Sequence, residues 1–327
     1  MTIIFHRRNV LHLAAGSAAA AATPGVAFAL DYPTRPVRMI VGLAAGGPTD
    51  GVARLIAQHL SEHMGAQFGV ENRTGAGGTL ATETVINATA DGYTLLFAGP
   101  TVTISASLYK KLANVLGELK PVGIVARAPN IMVVTPSLPV TTVKEFIDYA
   151  KANPGQISFA SSGVGASPHL SGEYFKFLTK IDMVHVPYRG SAAAYPDLLS
   201  GKVQVLFDNL GGPVLQMVNA GTLRALGVTS GQRWPLLPGV PAIAETVPGY
   251  QLYVWYALFA PKDTPPDIVT RLNAALKDAV TDERILARFK ADGGVPAVMT
   301  PEELARFLAG DQANWRKMVD AASLTAE

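Results

Sequence analysis

The chain has 327 residues, of which 49% are hydrophobic and 16% charged, and its mean hydropathy is +0.24, which favours two domains with large cores. The formal net charge is only +2 and no basic run occurs, which argues against nucleic acid or an anionic membrane surface as the partner. Cysteine is absent, which excludes disulfides, a thiol nucleophile and any Cys-based metal site.

Residues 1–29 are typical of a bacterial secretory signal. Arg7 and Arg8 form a basic start, an alanine-rich stretch follows, and Ala27-Phe28-Ala29 matches an A-x-A cleavage site. The order RRNVL at 7–11 also resembles a twin-arginine signal, so both export routes stay open. Cleavage after Ala29 would leave 25 basic side chains, two fewer than the 27 of the full chain, against 25 acidic ones. We therefore expect an exported, periplasmic protein of zero formal net charge.

Residues 37–60 predict a strand, a glycine-rich loop and a helix. The strand is the apolar run 37–41, the loop is 42–47, and the helix starts at 48–50 with apolar residues spaced at 3.6 per turn. Such a unit presents free backbone N–H groups and the positive end of the helix dipole, which together bind anions. The loop has no Lys or Arg, which favours a carboxylate over a triphosphate. An ordinary strand-to-helix connection is the alternative.

The same alternation continues along the chain. Further strands are predicted at 67–71, 93–98, 157–160, 183–186, 203–207 and 223–228. Further helices are predicted to begin near 79, 102, 141, 169, 192, 213, 267, 282 and 301. Two extended runs, 122–134 and 251–260, could each carry the chain between domains. The pattern predicts two α/β lobes, 30–127 with 253–327 and 128–252, joined by two crossover strands, with a ligand cleft at the carboxyl ends of the strands.

The common sequence signatures of catalysis are missing. There is no G-x-S-x-G, P-loop, H-E-x-x-H or complete G-x-G-x-x-G motif. Ser162, His169 and Asp208 lie at or just past strand ends, which leaves a secreted serine hydrolase as an alternative. His59 and His63 share one helix at i, i+4 spacing, which could bind a metal, but we expect a solvated pair. We therefore expect a binding protein rather than an enzyme, with no cofactor and no metal.

A series of short motifs then runs through the chain. They are YPTRPVR (32–38), GGPTD (46–50), ENRTGAGG (71–78), DGYTL (91–95), SSG (161–163), SPHL (167–170), HVPY (185–188), FDN (207–209) and LRAL (223–226). In this order they resemble the periplasmic substrate-binding proteins of tripartite tricarboxylate transporters, the Bug family. The resemblance implies a type II-like periplasmic binding protein fold that closes on a small organic carboxylate. It also implies delivery to membrane permease subunits, and we expect a monomer. A receptor that signals to a sensor kinase is a second alternative.

The resemblance also implies a set of ligand-binding residues. In that family the loop after the first strand grips a carboxylate through main-chain groups and ordered waters. In this chain the matching residues of the first lobe are Leu43, Ala45, Gly46, Gly47, Thr49 and Asp50. Ser161, Ser162 and Gly163 are expected opposite them, with Asp208 lining the cleft beside them.

Two further expectations concern the loop at 42–47. Asp50 is itself anionic, so we expect it to cap its helix or hold a bridging water rather than touch a ligand carboxylate. The family's loop reads Pro-Phe-Pro-Pro-Gly-Gly where this chain has GLAAGG. Prolines pre-order a loop, so we expect this one to be more flexible in the open state and to lose more entropy on binding.

Overall fold

A computed structural model describes residues 31–109 and 112–321 as an α/β structure with two sheets. The predicted secretory signal lies outside the described residues. Within the described ranges, none of the helices combines the length and the apolar character that a membrane span requires.

Eleven strands are described. They are β1 (Val37–Val41), β2 (Phe68–Asn72), β3 (Thr94–Ala98), β4 (Leu119–Ala128), β5 (Asn130–Val134), β6 (Ile157–Ser161), β7 (Met183–Pro187), β8 (Val205–Asn209), β9 (Arg224–Val228), β10 (Val254–Pro261) and β11 (Val295–Pro296). One sheet has the order β11-β4-β10-β3-β1-β2 and forms the first lobe; the other has the order β7-β6-β8-β5-β9 and forms the second lobe. In each sheet the strands followed by helices pair in parallel, β1 with β2 and β3, and β6 with β7 and β8. The predicted two-lobed α/β fold is confirmed.

Ten α-helices connect the strands within the described residues. They are α1 (Pro48–Met64), α2 (Thr79–Ile86), α3 (Thr101–Leu108), α4 (Val143–Ala152), α5 (Ser167–Thr179), α6 (Ser191–Leu199), α7 (Gly212–Asn219), α8 (Pro266–Ala279), α9 (Glu283–Ala291) and α10 (Pro301–Ala321). Short 3₁₀ turns occupy Ala76–Gly78, Val115–Gly117 and Ile243–Glu245. The first helix shows how the sequence sets these bounds. Pro48 fits the first turn because it needs no N–H partner there, and Gly65 ends the helix in the left-handed conformation at φ 77°.

The chain passes between the sheets at two places. Strands β4 and β5 are separated by Pro129 alone, and proline interrupts a strand ladder because it has no N–H to donate. The chain returns through 229–253 into β10, which pairs antiparallel with β3 and β4. The run 122–134, predicted as the first crossing, contains this junction, whereas the run 251–260, predicted as the second, lies mostly in β10 of the first lobe, so the second crossing comes earlier in the chain. The two crossings place the carboxyl ends of β1 and β6 on opposite sides of one cleft.

The C-terminal helix ties the two lobes together. Helix α10 packs on α3 and β4 of the first lobe. Its last turns also carry Trp315 and Val319 into the hydrophobic cluster that Phe159 and Phe207 form in the second lobe. The prediction that 253–327 simply returns to the first lobe is therefore incomplete, because two side chains of this helix belong to the other core.

The histidine pair on α1 also differs from the expectation. His59 is 2% exposed, not solvated, and it lies between Asp278 of α8 and Asp282, which precedes α9. His63 stacks on His59 with ring centroids 3.9 Å apart. Helical spacing showed that the two rings share a face, but it could not show that α8 and α9 cover that face.

Candidate functional site

A cavity of about 380 Å³ lies between loops that follow four strand ends, those of β1 and β2 in the first lobe and β6 and β7 in the second. Its lining residues are Gly42, Leu43, Ala44, Thr74, Gly75, Gly77, Gly78, Ser162, Gly163, Val164, Tyr188, Arg189 and Gly190. Ligands of open α/β sheets bind at the carboxyl ends of the strands, and this cavity is at that place in both lobes. Its lining is rich in glycine, so backbone groups form much of its wall.

The two lobes touch through glycines at the edges of this cavity. A Cβ atom on Gly77 would lie 2.3 Å from the carbonyl oxygen of Val164, and one on Gly190 would lie 2.7 Å from Ala44 Cβ. No side chain fits into such gaps, so only glycine allows the backbones to approach this closely. The structure therefore represents a closed arrangement of the lobes.

Three helix N-termini meet at a smaller gap beside the cavity. This gap, of about 10 Å³, is lined at the starts of α1, α3 and α5 by Thr49, Thr101 and Ser167. Each N-terminus carries free N–H groups and the positive end of a helix dipole, which favour a negative charge nearby. Leu43 lines both the cavity and this gap, so the two spaces share a wall.

The cavity contains hydrogen-bond donors without partners. Ser162 is 5% exposed, and its Oγ forms no hydrogen bond with any described residue. The backbone amides of Leu43 and Ala44 also donate to no residue that the structure describes. Buried polar atoms almost always have partners, so an unpartnered hydroxyl in a cavity wall indicates a place for a ligand or water.

Arg189 supplies positive charge to the same cavity. Its side chain is exposed and lines the cavity, and it forms no ion pair or hydrogen bond with the described part of the chain. The sequence analysis did not predict a role for this residue. Arg189 could have been predicted as a site residue because it lies in a loop just after a strand end, which is the same reason that Ser162 was predicted.

Asp50 positions the loop rather than facing the cavity. Its carboxylate is 3% exposed and accepts hydrogen bonds from Gly46 N at 3.0 Å, Arg54 Nε at 2.9 Å and Asn72 Nδ2 at 2.9 Å. Burial alone would raise the pKa of this carboxyl, but the hydrogen bonds from Arg54, the Gly46 backbone and Asn72 outweigh it and hold the pKa below its ordinary value. The Gly46 amide is therefore already used by Asp50 in this conformation.

The predicted site residues thus divide into two groups. Leu43, Ser162 and Gly163 line the cavity, and Thr49 lines the adjoining gap. The others do not line these spaces. They are Ala45 and Gly46, which are exposed, Gly47, Asp50, Ser161 and Asp208.

Ser161 and Asp208 are buried beneath the cavity wall. Ser161 Oγ accepts from Gly163 N at 3.1 Å and is hydrogen bonded to His185 Nε2 at 2.7 Å. Asp208 is fully buried on β8 and accepts from the hydroxyls of Ser191 and Tyr195. The expectation that Asp208 lines the cleft is not met, because β8 is the central strand of its sheet and α6 covers the carboxylate.

Ser162, His169 and Asp208 do not assemble the triad of a serine hydrolase. They form no hydrogen bonds with one another: the Ser162 hydroxyl is unpartnered, and His169 Nδ1 accepts from Gly165 N at 3.2 Å. Burial, with nearby His185 and Lys176, lowers the pKa of His169 to about 3, and burial with Lys176 lowers that of His185 to about 4. Both rings are neutral at pH 7, and they stack with centroids 4.1 Å apart. They pack beneath the loop that carries Ser162.

A larger groove lies elsewhere, beside the crossover strands. Its volume is about 780 Å³, and its lining includes Arg127, Tyr253 and Trp315. None of the buried side-chain atoms left unpartnered within the described ranges lines it. The smaller cavity at the strand ends is therefore the stronger candidate for a specific ligand site.

Comparisons with known proteins agree with this architecture. Residues 52–324 match the family model described as the tripartite tricarboxylate transporter family receptor. The chain is 36% identical over 307 residues to the protein BugT of Bordetella pertussis, covering 91% of this chain and 93% of BugT. A solved structure of R. palustris Rpa4515 with adipate superposes with a TM-score of 0.86 at 37% identity, covering 90% of this chain and 99% of that one. MatC from Rhodopseudomonas palustris, with bound malate, gives a TM-score of 0.83 at 30% identity, covering 88% of this chain and 100% of that one. The chain belongs to the tripartite tricarboxylate transporter family of periplasmic receptors.

Proposed function

We propose that this protein captures a small organic carboxylate in the periplasm and delivers it to the permease subunits of a tripartite tricarboxylate transporter. The observation that carries the proposal is the closed cavity at four strand ends, with an unpartnered buried hydroxyl at Ser162 and an unpaired cation at Arg189 in its wall. Similar proteins of this family have been solved with adipate and with malate, and both are small dicarboxylates.

The donors in the cavity suggest how a dicarboxylate is held. One carboxylate accepts hydrogen bonds from the Ser162 hydroxyl and the amides of Leu43 and Ala44, near the three helix N-termini that stabilise its charge. Arg189 then faces the second carboxylate. Among the described residues that line the cavity, Tyr188 alone carries an aromatic ring, and we propose that an aliphatic chain joins the two carboxylates. Asp50 stays out of contact with the ligand and keeps the loop in place.

Binding couples to closure of the lobes. We propose that 128–252 moves against 30–127 with 253–300 about the two crossovers, while α10, whose Trp315 and Val319 pack in the core of the second lobe, spans both bodies. The ligand bridges donors of both lobes, so it stabilises the closed form over the open one by its differential contacts. The protein acts as a monomer without enzymatic activity, after export by the signal at 1–29.

The test is a search for retained and added ligands. Native mass spectrometry of freshly purified protein identifies any bound acid, and thermal unfolding is then measured with adipate, malate, monocarboxylates, aromatic acids and acidic amino acids at millimolar concentration. A ligand present at 100 times its Kd stabilises the fold by about 2.7 kcal/mol, which raises the Tm by several degrees. If no acid is retained and none of the panel raises the Tm, the proposed function is wrong.

A further inference from the structure

A second cluster of polar side chains lies on α1 and α8, away from the cavity. His59 Nε2 lies 3.1 Å from Asp278 Oδ2, and His63 Nε2 lies 4.0 Å from the same oxygen. All three ligand atoms are within 4.8 Å of one another. We propose that His59, His63 and Asp278 bind a divalent transition metal ion such as Zn²⁺.

The hydrogen bonds at the other ring nitrogens support this assignment. His63 Nδ1 lies 2.8 Å from the backbone carbonyl of His59. A carbonyl can only accept, so Nδ1 carries the proton and Nε2 of His63 presents its lone pair. His59 Nδ1 lies 3.3 Å from Asp282 Oδ2, and this carboxylate oxygen can likewise accept a hydrogen bond from that nitrogen. These are the arrangements that fix the tautomer of metal-bound histidines in known sites.

Each ring nitrogen of His59 therefore lies beside a carboxylate, Asp282 at Nδ1 and Asp278 at Nε2. A neutral imidazole that donates from Nδ1 to Asp282 turns the lone pair of Nε2 toward the negative oxygen of Asp278, which is unfavourable without a cation between them. A metal ion there accepts both lone pairs. The competing explanation is that His59 makes hydrogen bonds to Asp278 and Asp282 with no ion between them.

The spacing suits a tetrahedral ion. Zn²⁺ bonds of about 2.0–2.1 Å place its ligand atoms roughly 3.3 Å apart. The 3.1 Å distance from His59 to Asp278 lies close to that value, and the 4.0 Å distance from His63 requires the stacked His63 ring to shift as the ion binds. The side chains of His63 and Asp278 are 45% and 60% exposed, so both are free to adjust, and a water can take the fourth position.

The ligand types select the metal. Two imidazoles and one carboxylate favour Zn²⁺, Cu²⁺ or Ni²⁺, whereas Mg²⁺ and Ca²⁺ require mainly oxygen ligands. Asp282 is held by Arg284, whose Nη2 lies 2.8 Å from its Oδ2, and so orients His59 from outside the ligand set. The site would link α1 to α8.

The site is distinct from the carboxylate cavity. His59 follows Pro48 by eleven residues along α1, which corresponds to about 16 Å at the rise of a helix. A metal there stabilises the first lobe and makes no contact with the organic ligand. Its effect is therefore measurable whether or not a carboxylate binds.

The experiment uses the full chain without an affinity tag, treated with chelator and dialysed. Titration calorimetry with ZnCl₂ and thermal unfolding with and without ZnCl₂ should show one equivalent bound and a raised Tm, while MgCl₂ should do neither. His63→Ala and Asp278→Asn should each weaken Zn²⁺ binding at least tenfold and abolish the Tm rise. Both residues are exposed, so folding should persist in the variants. Gln58→Ala, on an exposed face of the same helix, serves as the matched control and should bind as the unaltered protein does.

Three results would each overturn the proposal. They are an absence of Zn²⁺ binding in the micromolar range, equal binding in His63→Ala, and equal stabilisation by Mg²⁺. The first would leave hydrogen bonding alone as the explanation of the contacts of His59 with Asp278 and Asp282.

Discussion

Closure of the lobes can be tested at Gly211, which lies in the second lobe against Pro48 of the first. Its backbone is extended, with φ −177° and ψ 169°, so alanine is tolerated there without strain. A Cβ atom at this position would lie 2.9 Å from Cβ and Cγ of Pro48. The substitution Gly211→Ala therefore places a methyl group directly between the lobes and disturbs neither lobe internally.

The size of the effect follows from the contact distances. The gap must widen from 2.9 Å to at least 3.4 Å, where ordinary van der Waals contact begins. Overpacking by one methyl group costs about 1–3 kcal/mol in a rigid core, and the hinge relieves part of it by opening. We expect the closed form to lose about 1–2 kcal/mol, which weakens ligand binding about 5- to 30-fold. The free energy of unfolding without ligand should change by less than about 1 kcal/mol, since the open form accommodates the methyl group.

The assay is calorimetric titration with whichever carboxylate gives the largest Tm shift, together with small-angle scattering of the ligand-saturated protein. The radius of gyration of the saturated variant should exceed that of the unaltered protein. Gly69→Ala is the control, because a Cβ there meets nothing within 4 Å. Equal affinity and an equal radius of gyration in Gly211→Ala and Gly69→Ala would refute the assignment of this contact to the closed state.

Three further predictions concern the cavity and its support. Arg189→Gln should weaken dicarboxylate binding about tenfold and flatten its salt dependence, because a charged hydrogen-bond partner is lost; a titration at two salt concentrations that matches the unaltered protein and the Lys151→Gln control would contradict it. Ser162→Ala should weaken binding about fivefold and leave the unliganded protein as stable or up to about 1 kcal/mol more stable, since its hydroxyl has no partner among the described residues; a loss of unliganded stability in urea unfolding would contradict the reasoning. Lowering the pH from 6.5 to 4.5 should reduce the free energy of unfolding by about 4 kcal/mol through His169 and His185. Their pKa values of about 3 and about 4 in the fold lie below that of histidine in the unfolded chain, so the unfolded chain takes up protons first. Burial raises the pKa of Asp208 to about 6, so this carboxyl should increase the free energy of unfolding by about 2 kcal/mol over the same range. A free energy of unfolding that does not change with pH would show that the two histidine rings are not buried in the neutral form.

The sequence predicted the elements well where local patterns decide them. The apolar run at 37–41, the loop and the helix from Pro48 became β1 and α1, because strand and helix periods are properties of consecutive residues. The first crossing was also predictable as a long extended apolar run, whereas the second precedes most of the run 251–260 that was expected to carry it. The fold class follows from these elements in order, whereas the family was inferred from the resemblance of the short motifs.

Contacts between distant segments were not predictable in the same way. His59 meets Asp278 and Asp282, which lie 219 and 223 residues further along the chain, so no local pattern could show that they cover it. Gly77 and Gly211 look like ordinary turn glycines in the sequence. Glycine is needed at these two positions because residues of the opposite lobe lie so close, and only the structure shows which residues these are.

Asp208 shows the limit of the strand-end rule. The rule correctly placed this residue near the carboxyl end of a strand, and it worked for Ser162 at the end of β6. It failed for Asp208 because the ladder of β8 with β5 continues through that residue to Asn209. Ser191 and Tyr195 then cover the carboxylate from α6. A strand end lines a cleft only when the neighbouring helix leaves it uncovered.

The loop at 42–47 is ordered by contacts that its local sequence does not show. Its missing prolines predict a flexible segment, yet three contacts hold it in the closed structure. Asn72 Nδ2 donates to Leu43 O at 2.9 Å and to Asp50 Oδ1 at 2.9 Å, and Asp50 Oδ2 accepts from Gly46 N at 3.0 Å. Side chains of β2 and α1 thus supply order that proline would otherwise give to the backbone. Because Asp50 and Asn72 both belong to the first lobe, this order does not depend on closure, and the loop can present the Leu43 and Ala44 amides before the second lobe arrives.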